Sequence, residues 1–380
     1  MQKMDKIVRE NLPVTGIPGI SFGPPKQTEV NGNILSNPRI VPDNSMRAGQ
    51  KVTWDCIWFG NYPQAEVISS NSKYTALPES FLQTSDLIRD DGLYQMLQLA
   101  TEWDGQGDIV TGGNKYRRIK KNAATYTSTY FTYYQWKSET EYHYFKYQPI
   151  KWRVLSVNGT EVFLLADRVL DNRQYHTKYE PVTWEGSTIR SWLDGYGASY
   201  NIQNNDCSRK NFINTAFGIP GQQVIKETFV ENKNNLNYGT DGGNNTKDKI
   251  FLLSESEIYT DAAKLYGFVS GYDKEDKACG ATSSVYAKAM GTCVCADVQD
   301  VNIENCWWWL RTPGKYNTNA VKVCPDGGIS YDVHMCHYGV RPALNLDFTR
   351  MQDAAFSHLW DYAGTVCSDG TYEEFVRYIR

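Results

Sequence analysis

A metal or a reactive thiol could sit at two places in this sequence, a cysteine pair and a histidine cluster. Cys293 and Cys295 are separated by one residue where a zinc knuckle uses two, and no CxxC or HxxxH partner follows. His334-Met335-Cys336-His337 has suitable atoms, but on a strand its two histidines face opposite sides. Nine cysteines, an odd number without an export signal, point to reduced thiols. The expectation is therefore no metal and no cofactor. The loop 231–248 is read either as disordered surface or as a calcium loop, with Asp241, Asn244, Asn245 and Asp248 as hard oxygen ligands, although their spacing fits no EF-hand. Hydrolytic chemistry finds no GxSxG elbow and no HExxH, and His143, His176, His334, His337 and His358 have no nucleophile pattern beside them. The carboxylate pairs Asp90 with Asp91 and Glu255 with Glu257 fit acidic helix starts. The chain reads as non-catalytic.

Positioning elements follow from pattern. In ENCWWWLRTPG, residues 304–314, a tryptophan run must bury rings on both faces, so the segment is a central strand, ended by Thr312-Pro313-Gly314. Lys51–Phe59 alternates Val52, Trp54, Cys56 and Trp58 on one side and stops at Gly60-Asn61-Tyr62-Pro63. Residues 80–101, with Phe81, Leu82, Leu87, Ile88, Leu93, Met96, Leu97 and Leu99, give one or two short helices. A hairpin turns at Asn158-Gly159 between 149–155 and 161–166. Ser187 or Thr188 caps a helix that buries Ile189, Trp192 and Leu193, and Phe212–Phe217 forms another. Residues 249–253 are a buried strand, after which Ser254 and Glu257 have capping-box spacing.

Composition bounds the partners. The 380 residues carry a net charge of -4, which gives no case for nucleic acid, and Arg117-Arg118-Ile119-Lys120-Lys121 reads as a solvated strand edge or turn. No stretch is apolar enough to span a bilayer, and the first residues lack a signal-peptide core. The implied location is the cytoplasm or, on the resemblance set out below, a phage virion. Aromatics make up 13%, with 26 tyrosines, the chemistry of surfaces that are both apolar and hydrogen-bonding. Pro- and Gly-rich residues 1–50 form an extended arm, 51–348 a domain with a Tyr-rich excursion at about 103–148 (Tyr126, Tyr130, Tyr133, Tyr134, Tyr142, Tyr144 and Tyr147), and 349–380 a tail in which Phe356, Leu359, Trp360, Phe375 and Tyr378 could dock a short helix.

Trp58-Phe59-Gly60-Asn61-Tyr62-Pro63-Gln64, Ile150–Leu155, Thr183-Trp184-Glu185 with Ile189–Leu193, Ile250–Ser254, Trp308–Gly314 and Gly339-Val340-Arg341-Pro342-Ala343-Leu344 occur in that order. Together they resemble a large, uncharacterised family of bacterial and phage domains. The resemblance covers about 52–348 and implies an α+β, C-type-lectin-like fold, shared with formylglycine-generating enzymes and with the variable proteins of diversity-generating retroelements. It implies irregular loops and short helices around a twisted antiparallel sheet. The Trp308-Trp309 and Gly339–Leu344 segments would be neighbouring core strands, with Arg311 and Arg341 as structural cations bonded to carboxylates or carbonyls.

Residues 315–338 would then form a hairpin and loops on one outer face. Val321, Val323, Ile329, Val333 and Met335 point inward, and Lys322, Cys324, Ser330, Asp332, His334 and Cys336 point outward. Tyr316, Asn317, Asn319, Cys324, Ser330, Tyr331, Asp332, His334, Cys336, His337 and Tyr338 are residue types that adenine-directed retroelement mutagenesis scatters over such a face. The ligand-binding set is these residues with Lys322, and its partner is a protein or glycan on a cell or particle surface. A trimer, or virion assembly through the N-terminal arm, would suit that role. The tail beyond residue 349 departs from the retroelement pattern. The alternative is a formylglycine-generating-type copper and cysteine oxidase, using Cys306, Cys324 and Cys336 or Cys293 with Cys295.

Overall fold

The computed structural model describes residues 35–71, 86–124, 134, 136, 138–269, 278–292, 305–369 and 372–373. The arm up to residue 34, Phe81, Leu82, Tyr126, Tyr130, Tyr133, Cys293, Cys295, Phe375 and Tyr378 lie outside the described residues. The strands are β1 (Arg39–Pro42), β2 (Gln50–Ile68), β3 (Leu87–Arg89), β4 (Asp108–Thr111), β5 (Asn114–Ile119), β6 (His143–Asn158), β7 (Glu161–Ala166), β8 (Asp171–Gln174), β9 (Thr228–Val230), β10 (Thr246–Asp248), β11 (Ile250–Phe251), β12 (Trp308–Pro313), β13 (Asn319–Val323), β14 (Ile329–Val333), β15 (His337–Val340), β16 (Ala343–Asp347), β17 (Trp360–Cys367) and β18 (Tyr372–Glu373). The α-helices are short: α1 (Asp91–Leu99), α2 (Thr188–Asp194), α3 (Phe212–Ala216), α4 (Ile219–Val224), α5 (Glu255–Tyr259), α6 (Asp261–Leu265), α7 (Val285–Ala289) and α8 (Phe348–Met351). The chain is mixed α+β, dominated by sheet. None of its described helices is long and apolar enough to cross a membrane.

There are two main sheets where the sequence suggested one. The larger runs β11-β16-β7-β6-β2-β17-β18, with β1 and β3 on β2 and the β4–β5 hairpin joined to β6 through β5. The smaller runs β14-β13-β12-β15-β8, and β9 pairs with β10 alone. Pairing is antiparallel except β12 with β15 and β2 with β3. The tryptophan strand β12 is central in the smaller sheet, and Trp308, Trp309 and Leu310 are fully buried. Both indoles are satisfied, Trp308 Nε1 by Cys279 O at 3.2 Å and Trp309 Nε1 by Arg173 O at 2.9 Å. Trp307 precedes the strand and is half-buried. The ladder runs on through Pro313, which faces Ala320 after a register shift, so the exit comes at Gly314.

Several local expectations give way to tertiary context. Strand β2 does not stop at Gly60-Asn61-Tyr62-Pro63 but continues to Ile68. Two register shifts against β6, at Trp58/Asn61 and Pro63/Ala65, absorb the turn-type residues, and Gly60 supplies a φ of +70°. The single inward face expected for Val52, Trp54, Cys56 and Trp58 is split. Val52 and Trp54 join the main core, Cys56 and Trp58 pack with Ala363 and Val366, and Ile57 and Phe59 return to the main core. Leu87 and Ile88 lie in β3, not in a helix; the helix is α1, where only Leu97 is buried. The tail is not an appendage, because β17 lies between β2 and β18. Residues 39–42 of the supposed arm pair with β2.

Other short-range signals match the elements. Gly159, with φ +58°, turns the β6–β7 hairpin; Ser187 caps α2; and Ser254 with Glu257 forms a capping box on α5. The two sheets are joined at Arg341-Pro342, the only residues between β15 in one and β16 in the other. Arg341 is 0% exposed there and bonds three carbonyls, Ala166 O at 2.8 Å, Cys279 O at 3.2 Å and Asp167 O at 3.4 Å, with its guanidinium 4.9 Å from the Trp308 ring. Burial lowers its pKa to about 9.

Candidate functional site

The hairpin β13–β14 faces β12 through β13, with Trp309, Lys322 and Ser330 in one cross-strand row. Lys322 is 8% exposed, which corrects its assignment to the outward set. Its ammonium donates to Asp332 Oδ2 at 2.9 Å and to the Tyr338 hydroxyl at 2.6 Å, and Tyr338 donates to the same Asp332 oxygen at 2.6 Å. Burial would raise the Asp332 carboxyl, but the bonds from Tyr338 and Lys322 outweigh it and hold the pKa low. The Cys336 thiol lies 3.5 Å from Asp332 Oδ1, and burial first, then Asp332, pushes its pKa up to about 11. This is a half-buried network that satisfies itself, anchored on Trp309, whose ring lies 4.8 Å from that of Tyr338.

The outward assignment also fails for His334, and the place of Asn319 in the ligand-binding set fails with it. His334 is 0% exposed, with Nε2 donating to Glu180 O at 2.7 Å and its ring 5.4 Å from that of His176. His176 Nδ1 accepts Thr188 N–H at 3.3 Å, and its Nε2 lies 3.2 Å from Glu180 Oε1 and 3.0 Å from Gln203 Nε2. Burial lowers the pKa of both imidazoles, and burial with Arg173 lowers that of His337 to about 4. Asn319 is buried as well. Val333 and Met335, expected inward, are half-buried. Cys324, Tyr331, Asp332, Cys336, His337 and Tyr338 are half-buried, and Tyr316, Asn317 and Ser330 are exposed. The face is thus a rim rather than a whole hairpin.

Sequence reasoning missed the partner of that rim. The loop 231–248 is ordered by its own amides, which corrects the disordered reading: Asn232 Nδ2 donates to Asn244 O at 2.8 Å, Asn235 Oδ1 accepts the N–H groups of Asn237 and Tyr238, and Gly242 N–H reaches Asn234 Oδ1. The supposed calcium ligands are engaged separately. Asp241 accepts Gly243 N–H, Asn244 donates to Glu185, Asn245 accepts Asn232 N–H, and buried Asp248 pairs with Arg190 at 2.7 Å. Among the described residues no three His, Cys, Asp or Glu groups converge as a metal site. Asn235 Nδ2 holds Pro313 O at 2.9 Å and Thr240 Oγ1 holds Lys315 O at 3.0 Å, fastening the loop to the start of the hairpin. Tyr238, 48% exposed, therefore meets the Tyr331 ring at 5.4 Å, and Lys315 lies 5.8 Å from the Tyr238 ring and 5.4 Å from that of Tyr316, itself 58% exposed. The run of asparagines was the available signal, since Asn orders loops by bonding backbone.

A second polar group, also missed, lies inside the larger sheet. Arg117, Phe145 and Glu66 are successive cross-strand partners on β5, β6 and β2. Arg117 makes two bonds to Asp108, at 2.7 and 2.9 Å, and Tyr147 and Lys115 complete the carboxylate at 2.7 and 2.9 Å. The basic cluster is thus no solvated edge: Arg117 is buried, and Arg118 stacks on Trp103 and Tyr142. Beside it Glu66 Oε1 lies 2.6 Å from His143 Nδ1 and 2.9 Å from the Tyr134 hydroxyl, while His143 Nε2 is buried without a hydrogen-bond partner among the described residues.

The buried cations of the tryptophan strand are matched as well. Arg311 bonds Leu252 O at 2.7 Å, Glu231 O at 3.0 Å and both oxygens of Glu257, at 2.7 and 3.2 Å. Cys306 is fully buried, its thiol pushed up to about 12 by burial. Such a thiol is a poor nucleophile and a poor copper ligand at neutral pH.

Residues 159–348 match the family described as Domain of unknown function (DUF6273), and with half of its length so matched the chain belongs to that family. No curated protein and no solved structure matches. The family segment begins in the β6–β7 turn, so it spans all of the smaller sheet but only β7, β11 and β16 of the larger.

Proposed function

We propose that this member of an uncharacterised domain family is a non-catalytic binding protein, meeting a protein or glycan ligand with the rim where the 315–338 hairpin joins the 231–248 loop. The observation that carries the reading is the placement of Tyr238 and Tyr316, large rings held half in water around Lys315 on a backbone fixed from both sides. Rigid aromatic anchors lose little entropy on binding, which is how recognition surfaces gain affinity. In the finer reading the fold is C-type-lectin-like and the rim is diversified as in retroelement variable proteins. Exposed Tyr316, Asn317 and Ser330 with half-buried Tyr331 are the positions where such substitution would cost the scaffold least. Buried Asn319, Lys322 and His334 are excluded from that set on packing grounds.

The test is sequencing of codons 304–345 with flanking DNA across a population of the source, beside binding screens of the purified chain against protein and glycan panels. Substitutions confined to the rim, with a template copy and a reverse transcriptase gene nearby, are the expected result for a diversified receptor. A segment without variation returns the protein to a fixed ligand. A ligand whose binding ignores both Tyr238→Ala and Tyr316→Ala sinks the rim as the binding surface.

A further inference from the structure

Strand β14 is the edge of the smaller sheet, and among the described residues it pairs only with β13. The direction of its free groups follows from the ladder. Cys324 N–H donates to Gly328 O and His334 N–H to Thr318 O, one at each end of the hairpin. Hydrogen-bonded pairs alternate along antiparallel strands, so Lys322/Ser330 and Ala320/Asp332 exchange the bonds, and Tyr331 between them turns its N–H and C=O away from β13. The next outward residue, Val333, is already closed, its N–H on Asp332 Oδ1 at 2.8 Å and its carbonyl on Cys336 N–H at 2.8 Å. Tyr331 is thus an open position on this edge among the described residues. Its ring is also part of the rim, against Tyr238.

Charge and shape narrow the occupant. The neighbouring cations are matched by carboxylates: Lys322 by Asp332, Lys233 by Glu231, Arg311 by Glu257. Lys315 has ring contacts but no carboxylate within ion-pair distance among the described residues. Leu236, 45% exposed, adds an aliphatic surface two residues before Tyr238 in the same loop. We propose that the rim takes an extended acidic peptide of a partner protein, added as a strand beside β14 through the Tyr331 N–H and C=O, with a peptide carboxylate on Lys315. Backbone bonds to an open edge supply affinity, and side-chain contacts at alternate positions supply selection. An aliphatic contact and an edge amide favour peptide over saccharide here. The inference rests on the rim as the binding surface and names what that surface takes.

The experiment is selection of displayed random peptides on the full chain, followed by affinity measurement of synthetic winners and by amide exchange of Tyr331. The expected result is enrichment of Asp and Glu among alternating apolar residues, a loss of about tenfold or more in Lys315→Met, as for one charge-assisted bond, and slowed exchange at the Tyr331 amide. Lys315 is exposed, so the variant leaves the fold intact. Selection of no peptide, winners without acidic bias, affinity unchanged in Lys315→Met, or unaltered Tyr331 exchange each overturns strand addition. Concentration-dependent self-association through β14 would do the same, as would a saccharide ligand at the rim. A ligand that depends on Tyr238 and Tyr316 but not on Lys315 or Tyr331 exchange overturns this inference alone; one indifferent to all four overturns the rim as well.

Discussion

Two regions of the molecule use the same residue types to opposite ends. Around Asp108 in the larger sheet, Arg117, Lys115 and Tyr147 all converge on one carboxylate. At the outer rim of the smaller sheet, Lys315 and three tyrosines meet without any carboxylate among the described residues. In the smaller sheet buried Lys322 is likewise matched inside the chain, by half-buried Asp332 and Tyr338. The difference is one of desolvation. A buried charge must be matched inside the chain, whereas an exposed one can wait for a partner.

Removing one partner at each depth grades that contrast. Asp108→Ala leaves the buried Arg117 guanidinium without its carboxylate, whereas Lys115, 38% exposed, can turn to water. The variant should cost about 3–5 kcal/mol in urea denaturation; a cost near zero would mean the layer is hydrated. Lys322→Met, which leaves Asp332 Oδ2 only the Tyr338 bond, should cost about 1–3 kcal/mol, and a double-mutant cycle with Tyr338→Phe should show coupling. Additive effects would dissolve the network.

Acid probes the histidines beneath the rim. His176, His334 and His337 have pKa values lowered from 6.5, that of His337 to about 4. The unfolded chain therefore takes up protons below about pH 6.5 that the folded chain refuses, so stability falls as pH drops from 6.5 towards 4 and is level above that window. His337→Gln should flatten the slope measured by urea midpoints at stepped pH, to a degree reduced by solvent screening. Smallest is Tyr316→Ala, expected within about 0.5 kcal/mol of the parent, because an exposed ring contributes little to folding. A larger loss would make that tyrosine part of the scaffold.

Legibility in the sequence followed range. Asn158-Gly159, the Ser187 cap and the Ser254–Glu257 box act within a few residues, and each formed as its local chemistry directs. Gly60 and Pro63 misled because a bulge and a turn draw on the same residues, and only the partner strand β6 decides between them. Lys322 and Arg117 misled because their partners are set by register, and alternation along one strand cannot reveal what lies across it. At the rim, Tyr316 could be singled out from its own segment, whereas Tyr238 comes from a loop more than seventy residues away and gave no sign of converging on it.

The two-residue passage at Arg341-Pro342 also fixes how the molecule comes apart. The chain leaves the smaller sheet and enters the larger with no slack, and the guanidinium at the passage holds carbonyls from the strand end at Ala166 and from Cys279. At this passage the end of the smaller sheet cannot part from the larger without breaking those bonds. Heat or denaturant should therefore meet one cooperative transition over both sheets, and a fragment containing only the hairpin that carries the rim has no core of its own on which to fold.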